Sequence, residues 1–488
     1  MDRSPDILPL HLCLILARSF WEKRPSGARQ VKKGVIVRTI KIAFWGGFLL
    51  LTAFWVQAEP AFYQPANFFA LRGDMVQWSG VIAMACMSVA MMLALRPTWP
   101  ERWLGGLDKM YRLHKWLGIG ALVMGVVHWL WAKGPKWAVG WGLLERPHRG
   151  PRPEPDGLIE QLVSGLRHTA EGVGEWAFYG AVALILLALI KLVPYRLFAK
   201  LHQVLPVAYL VLVFHSLVLT DLAYWTQPVG LVQAVLLAGG VWAAALVLLR
   251  QIGANRKVSG QVAALHYYPV LRALRIEIEL PAGQSGRSVW KGHQAGQFAF
   301  LTTDPAEGPH PFTIASAWDD QTRRIVFVVK ELGDHTRSLR HRLRVGQSVT
   351  VEGPYGHFTF KDRCARQVWV GGGIGITPFL ARLQQLAAQP GARSQSVDLF
   401  HAVADADDDA IARLTEAAQA AGVRLHLLVE KKDGRLSGER IRQLVGDCKD
   451  ASIWFCGPAG FGQALRDDFA AHGLPVSRRF HQELFSMR

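Results

Sequence analysis

Residues 113–132 read Leu-His-Lys-Trp-Leu-Gly-Ile-Gly-Ala-Leu-Val-Met-Gly-Val-Val-His-Trp-Leu-Trp-Ala, and residues 201–220 read Leu-His-Gln-Val-Leu-Pro-Val-Ala-Tyr-Leu-Val-Leu-Val-Phe-His-Ser-Leu-Val-Leu-Thr. Each is an apolar run of the length that crosses a hydrocarbon core, which needs ~20 helical residues. Each also carries two histidines: His114 and His128 in the first, His202 and His215 in the second. A polar ring nitrogen is costly in hydrocarbon, so an intramembrane histidine is a functional candidate before it is anything else. At a rise of ~1.5 Å per residue, either pair spans ~20 Å along its helix.

Working outward, six stretches are long and apolar enough to span: Lys41–Val56, Met75–Leu95, Leu113–Ala132, Trp176–Val193, Gln203–Leu219 and Gly230–Leu249. An even number returns both ends of the chain to one side. Arg96, Arg102, Lys109, Arg112 and Lys115 lie between the second and third spans or at their facing ends, and Lys191, Arg196 and Lys200 likewise between the fourth and fifth. The turn Thr220–Val229 has no Lys or Arg. The excess of positive charge in inner loops places both termini in the cytoplasm. The loop 133–174 runs against this, with Lys133, Lys136, Arg146, Arg149, Arg152 and Arg167 on the outside; external loops of that length obey the rule loosely. Residues 1–38 read as a cytoplasmic, interfacial segment with no cleavage site. The net charge of +17 reads as membrane anchoring, not as a nucleic-acid surface. Five scattered cysteines without a CxxC argue against a disulfide framework or an iron–sulfur cluster.

With one span between them, the third and fifth helices run in the same direction. His114 and His202 therefore share the inner level, and His128 and His215 the outer one. Two imidazoles at each of two levels suit two bis-His iron porphyrins, whose axial positions they would close in favour of electron transfer. Helical phase supports one helix and resists the other. Fourteen residues at ~100° return to within ~40° of the starting face, whereas thirteen miss it by ~140°. Pro206, four residues after His202, interrupts the hydrogen-bond ladder and supplies the required reset. Arg112, Lys115, Arg196 and Lys200 are placed to meet propionates at the inner rim, or simply to snorkel. The competing reading is four ordinary hydrogen-bonded histidines in a helix bundle.

The rest of the chain is of a different kind. Residues 253–362 alternate apolar and polar positions between Gly and Pro turns, as in Leu274-Arg275-Ile276-Glu277-Ile278 and Ile325-Val326-Phe327-Val328-Val329, and predict an antiparallel barrel. Residues 363–488 alternate the short strands Val368–Val370, Val397–Phe400, Leu425–Val429 and Ile453–Phe455 with helical stretches, and predict a parallel α/β domain. The fold class is thus a six-helix membrane domain over 39–252, then an antiparallel β-barrel domain (253–362) and a parallel α/β domain (363–488).

Two groups of motifs carry chemistry in this half. Gly296-Gln297-Phe298 precedes His310-Pro311-Phe312-Thr313-Ile314-Ala315-Ser316, followed by Lys330, by Gly333-Asp334-His335-Thr336 and by Glu352-Gly353-Pro354-Tyr355-Gly356. Further on, Gly371-Gly372-Gly373-Ile374-Gly375-Ile376-Thr377-Pro378 follows a strand and opens a helix, where glycines let the backbone approach a pyrophosphate. Cys456-Gly457-Pro458 follows a later strand, and the chain closes on Phe480-His481-Gln482-Glu483-Leu484-Phe485-Ser486-Met487-Arg488.

With the four histidines, these motifs in this order resemble the NADPH oxidase and ferric reductase superfamily over nearly all of residues 40–488. The resemblance implies that His310, Pro311, Phe312 and Thr313 line the flavin of FAD. It implies that Lys330, Gly333 and Thr336 hold the FAD pyrophosphate, and that Phe485 stacks on the flavin until nicotinamide displaces it. Gly371, Gly373, Gly375, Thr377, Pro378, Cys456, Gly457 and Pro458 would bind NAD(P)H, with Thr377 and Cys456 flanking the nicotinamide and Glu483 near it. Phe485, Cys456, Glu483 and Thr377 are thereby the residues nearest the hydride transfer. Two b-type haems would sit on His114, His128, His202 and His215.

The implied activity is electron transfer from cytosolic NAD(P)H through FAD and haem iron to an external acceptor. The preferred acceptor is O2, giving superoxide and hence reactive oxygen species; the alternative is a ferric chelate. Against it stand a non-catalytic transporter- or receptor-like module with a degenerate reductase tail, and a haem-free membrane flavin reductase. Intact glycines, HPFT and terminal aromatic disfavour the first of these. The chain departs from the animal oxidases in two places. The position of their 2′-phosphate-binding Arg is Ala404 followed by Asp405, which opens NADH use unless Lys431, Lys432 or Arg435 substitutes. The position of a further outer-pocket His is Ala132, leaving Arg72 as the nearby cation. The sequence calls for no partner subunit and shows no calcium-binding EF-hand loop. The implied location is the inner membrane of a bacterium.

Overall fold

The computed structural model describes residues 35–145, 157–190, 195–282, 290–389 and 395–483. The segment up to residue 34, Arg146, Arg149, Arg152, Lys191 and Phe485 lie outside them, as does the side chain of Arg196. The membrane part comprises α1 (Val35–Ala58), α2 (Phe68–Ala94), a short α3 (Thr98–Leu104), α4 (Leu107–Gly140), α5 (Leu158–Leu189), α6 (Tyr195–His202), α7 (Leu205–Leu219) and α8 (Pro228–Leu248). Six spans are long and apolar enough to cross a membrane, with α6 and α7 sharing one of them. All six predicted spans are present.

The helix α2 is the most enclosed, packed against α4 and α8, while α5 packs against α7. Small buried residues on α2 (Ser79, Ala83, Ala85, Ser88, Ala90) let neighbouring backbones approach, the usual way helices associate where no water drives them together.

Three local features differ from, or refine, the expectation. First, α4 and α5 extend far past the predicted Leu113–Ala132 and Trp176–Val193. Lys133, Lys136 and Arg167, read as loop residues, stand on these helical extensions. Hydropathy reports only the part of a helix that meets hydrocarbon, so polar turns beyond it leave no signal. Lys133 Nζ lies 2.7 Å from Glu175 Oε2, tying the two extensions together. Second, α4 carries Pro135, whose missing N–H leaves the Trp131 carbonyl without its helical donor. Arg72 fills the gap: its Nε donates to Trp131 O at 3.1 Å and its Nη2 to Ala132 O at 3.0 Å. Third, the fifth span breaks at Gln203–Val204, and α7 restarts with Pro206 in its first turn. A proline is tolerated there because its N–H has no helical acceptor to lose.

The reductase module opens with β1 (Lys257–Tyr268), β2 (Ala273–Glu279), β3 (Phe298–Thr302), β4 (His310–Thr313), β5 (Arg324–Lys330), α9 (Asp334–Arg342) and β6 (Ser348–Tyr355). The six strands form an antiparallel sheet in the order β4-β3-β6-β1-β2-β5. A bridge between Ile314 and Phe327, with Ala315 N–H donating to Val326 O at 2.8 Å, joins the two edges and closes the sheet. Ile276, Ile278, Ile325, Phe327 and Val351 fill its interior.

The second domain comprises β7 (Arg366–Gly372), α10 (Thr377–Ala388), β8 (Ser396–Val403), α11 (Asp408–Ala420), β9 (Arg424–Val429), α12 (Gly438–Val445), β10 (Ser452–Cys456), α13 (Ala459–Ala471) and β11 (Phe480–Gln482). Its sheet is parallel in the order β11-β10-β7-β8-β9. The strand β11 was not anticipated; three residues next to a tail motif show no periodicity.

One hydrophobic cluster crosses between the two parts. Leu104, Leu107 and Met110 of the membrane domain share it with Phe298, Phe300 and Tyr355 of the barrel. The barrel therefore sits on the end of the bundle that carries α3 and the start of α4.

Candidate functional site

The bundle brings the four histidines together in two pairs. His114 and His202 face each other with ring centroids 6.0 Å apart and planes at 70°. His128 and His215 do the same at 6.2 Å and 80°. The break before Pro206 is what turns α6 and α7 so that residues thirteen apart both point inward. The first pair lies at the level of the reductase module and the second toward the far end of the bundle.

The proton on three of these rings is fixed by their partners. His114 Nδ1 donates to Ala90 O at 2.9 Å, His128 Nδ1 to Val76 O at 2.9 Å and His215 Nδ1 to Ala170 O at 2.8 Å. A carbonyl only accepts, so each Nδ1 carries the hydrogen and each Nε2 keeps its lone pair free for a metal. His202 Nδ1 is buried without a hydrogen-bond partner among the described residues.

The separations test the fit of a porphyrin iron. An imidazole nitrogen binds a metal at ~2.0–2.1 Å, and the ring centroid lies roughly 1.1 Å further back, so two axial rings stand ~6.3 Å apart. The observed 6.0 and 6.2 Å agree with that spacing. Beside the inner pair is a cavity of about 250 Å3 with apolar walls that include Ala90, Gly118, Ala188 and Phe198. The backbone also leaves room for the outer rings. A Cβ at Gly174 would lie 2.0 Å from His215 Nδ1, and one at Gly80 would lie 3.2 Å from His128 Nδ1. Among the described residues no three His, Cys, Asp or Glu side chains form a metal cage. The donors are thus two opposed imidazoles per level, which is the set a porphyrin needs and a bare metal ion does not.

In the barrel, the His310–Thr313 motif is β4, paired with β3 so that Phe300 faces Pro311 and Phe298 faces Thr313. The His310 ring stacks on that of His335, 3.8 Å away and nearly parallel. Burial holds the His310 imidazole below its ordinary range. Lys330 ends β5, and Gly333 caps α9. Thr336 Oγ1 accepts from the Leu332 and Gly333 N–H groups at 2.9 and 3.0 Å. The N–H groups of the first turn of α9 have no intrahelical acceptor and suit an anion such as pyrophosphate.

In the α/β domain, β7 runs into the glycine loop and α10 starts at Thr377, with Pro378 in its first turn. Cys456 ends β10 directly beside Gly371. The two loops approach backbone to backbone: a Cβ at Gly375 would lie 2.1 Å from Cys456 O, and one at Gly457 would lie 3.1 Å from Gly372. Thr377, Cys456, Gly457 and the glycines are thereby gathered at the carboxyl ends of adjacent central strands, where open α/β sheets bind nucleotides. Burial pushes the Cys456 thiol far above its usual range, with Glu483 adding to the effect.

Glu483 is also buried, and its Oε2 has no hydrogen-bond partner among the described residues. Burial pushes its carboxyl up to about 8; Asp108 and Glu101 of the membrane domain add to the rise and Lys109 opposes it. It sits where all three parts of the chain meet. A Cβ at Gly356 of the barrel would lie 3.1 Å from Glu483 Oε1, and the Gly356 N–H donates to Glu101 Oε1 at 2.9 Å.

Sequence reasoning missed this junction. Arg96 was read only as a topological charge, yet it pairs with Glu352 of the barrel. The available signal was a charged Glu352 directly after the buried apolar positions Val349 and Val351 of β6. Asp405 follows β8 and holds Lys431 at 2.5 Å, while Arg435 is held by Glu430 at 2.7 Å, so two of the three candidate 2′-phosphate cations already have carboxylate partners.

A match to the family described as ferric reductase like transmembrane component covers residues 79–213, and one to an FAD-binding domain covers residues 274–359. The 2-halobenzoate 1,2-dioxygenase electron transfer component of Burkholderia cepacia is 30% identical over 198 residues, 38% of this chain and 58% of that protein. The flavohemoprotein of Vibrio cholerae serotype O1 is 30% identical over 151 residues, 30% of this chain and 37% of its own length. The chain spans about half the length of the curated relatives it matches. The crystal structure of the Amycolatopsis cytochrome P450 reductase GcoB superposes with a TM-score of 0.40 at 23% identity, covering 47% of this chain and 70% of that one.

Proposed function

A ferric-reductase-like transmembrane component followed by an FAD-binding module gives this chain the architecture of the NADPH oxidase and ferric reductase superfamily, and from that premise we propose that it carries electrons from NAD(P)H, through FAD and two b-type haems, across the membrane to O2. The chain is an oxidoreductase with an FAD-binding module and six membrane-crossing helices. The observation that supports the finer reading is the pair of opposed imidazole couples, one above the other, with Nε2 left free on three of the four rings.

In this reading His114 and His202 hold the inner haem, and His128 and His215 the outer one. His310, Pro311, Phe312, Thr313, Lys330, Gly333, Thr336 and Phe485 hold FAD. Gly371, Gly373, Gly375, Thr377, Pro378, Cys456, Gly457 and Pro458 hold NAD(P)H. Bound flavin accepts a hydride and releases its electrons singly, and haem iron takes one electron at a time. The protein's part is placement. The glycine loop brings the nicotinamide against the barrel. Neutral Glu483 keeps a negative charge away from that junction at pH 7. The carbonyl partners of His114, His128 and His215 fix the orientation of the rings that would hold the haems. The module faces the cytoplasm of a bacterial cell, and superoxide forms on the far side.

The purified, haem-supplied protein tests this directly. The pyridine haemochrome assay is expected to give two b-type haems per chain, and NADH-driven dye reduction is expected to be sensitive to superoxide dismutase. A colourless protein overturns the haem assignment. Capture of Fe(II) from a ferric chelate without superoxide formation replaces the acceptor and leaves the rest standing.

A further inference from the structure

The junction between barrel and bundle is built around one side chain. Arg96 follows α2. Its Nε donates to Tyr111 Oη of α4 at 2.9 Å, its Nη1 is paired with Glu352 Oε1 of β6, and its guanidinium lies 3.8 Å from the centre of the Phe300 ring on β3. Tyr355 Oη donates to the same Glu352 oxygen at 2.8 Å. The pair is enclosed, with side chains 12% and 3% exposed. Lys257 also approaches Glu352, but at 4.0 Å and from a side chain 37% exposed.

These contacts lie between the two proposed redox centres. Phe300 stands opposite Pro311 of the flavin-lining strand. Tyr111 is three residues before His114, and both line the same cavity. The contacts Pro311–Phe300–Arg96–Tyr111 thus join the flavin strand to the helix that carries the inner haem ligand His114.

We propose that Arg96 is a positioning residue that docks the flavin-binding strand onto the helix of the inner haem ligand and so sets the rate of electron transfer between them. The inference rests on the function proposed above. In the step concerned, each electron leaving reduced flavin converts one ferric haem iron to ferrous, NAD(P)H having supplied two electrons as hydride. Arg96 touches neither the proposed nicotinamide nor the pyrophosphate site, so hydride transfer is independent of it.

The test is stopped-flow absorbance on the full chain in lipid nanodiscs, loaded with FAD and haem, comparing wild type with Arg96→Ala, Arg96→Lys and Glu352→Gln. Flavin bleaching by NADH is expected to keep its rate in all four. Haem reduction is expected to slow at least tenfold in Arg96→Ala and Glu352→Gln, and less in Arg96→Lys, which keeps the charge and loses the fork. Hydrogen exchange supplies a readout apart from turnover: amides of residues 348–356 and of the linker 250–257 are expected to lose protection while haem content stays unchanged. Haem reduction within twofold of wild type, or flavin bleaching slowed in the same proportion as haem reduction, overturns the docking role. A wild-type protein that binds both groups yet passes no electrons between them overturns the underlying reading instead.

Discussion

Replacing Gly174 by alanine is expected to remove the outer haem and leave the inner one. Gly174 is buried on α5, and a Cβ built on it lies 2.0 Å from His215 Nδ1, 2.6 Å from Cγ and 2.8 Å from Cε1. Carbon contacts settle near ~3.5 Å, so the ring or the helix must give way by roughly 1.5 Å. That movement breaks the 2.8 Å bond from His215 Nδ1 to Ala170 O, which orients the imidazole. Overpacking of this kind costs ~1–3 kcal/mol, and losing the group that orients a metal-bound histidine typically weakens binding ~10–100-fold. Gly172→Ala is the matched control: the same helix, an exposed position and nothing within 4 Å of the added methyl. Alanine is favoured over glycine in a helix by ~1 kcal/mol, so this variant is expected to be as stable as wild type or more so. The assay is haem per chain by pyridine haemochrome, with FAD content measured alongside. The expected values are one for Gly174→Ala and two for Gly172→Ala. Two haems with an unaltered Soret band in Gly174→Ala refute the assignment of His215.

Four further outcomes are expected. Gly375→Ala drives a methyl to 2.1 Å from the Cys456 carbonyl, with backbone on both sides, so NADH is expected to bleach the flavin at least tenfold more slowly while dithionite reduces both flavin and haem as before. Glu483 has a folded-state pKa near 8, raised from the carboxylate range, so its folded form binds the proton more tightly than the unfolded chain; stability is greatest in acid and declines as pH rises through that value. The melting temperature of wild type is expected to fall between pH 5 and pH 9 by more than that of Glu483→Gln. Asp405 stands after the strand next to the glycine-loop strand, where a carboxylate suits ribose hydroxyls and opposes a 2′-phosphate; kcat/KM is expected to favour NADH, and Asp405→Ala to shift the ratio toward NADPH several-fold. Arg72→Ala strands the Trp131 carbonyl opposite Pro135 and is expected to cost ~1–3 kcal/mol, read as a lower melting temperature.

Much of this molecule is legible in the residues, and the parts that are not share a cause. The six spans show because hydrocarbon selects composition over ~20 residues. The thirteen-residue spacing of His202 and His215 required a break, Pro206 marked its place, and two residues separate the end of α6 from the start of α7. The barrel and the parallel sheet follow from periodicity and glycine punctuation. What stayed hidden lies across long sequence separations. Arg96 and Glu352 are 256 residues apart, and Glu101 and Gly356 are 255 apart. Arg96 looked like an ordinary helix-end charge until the fold put it beside Glu352. The extensions of α4 and α5 were invisible for a second reason: outside the hydrocarbon a polar helix and a polar loop have the same hydropathy.

Electron passage across a sealed bilayer is the most direct measurement. The protein is reconstituted into vesicles with ferricyanide or oxidised cytochrome c trapped inside, and NADH, which does not cross, is added outside to the molecules whose reductase module faces out. Reduction of the trapped acceptor is expected, abolished by His114→Ala and by His215→Ala alike. Rapid NADH oxidation with an external acceptor, but no reduction inside an intact vesicle, would contradict the account.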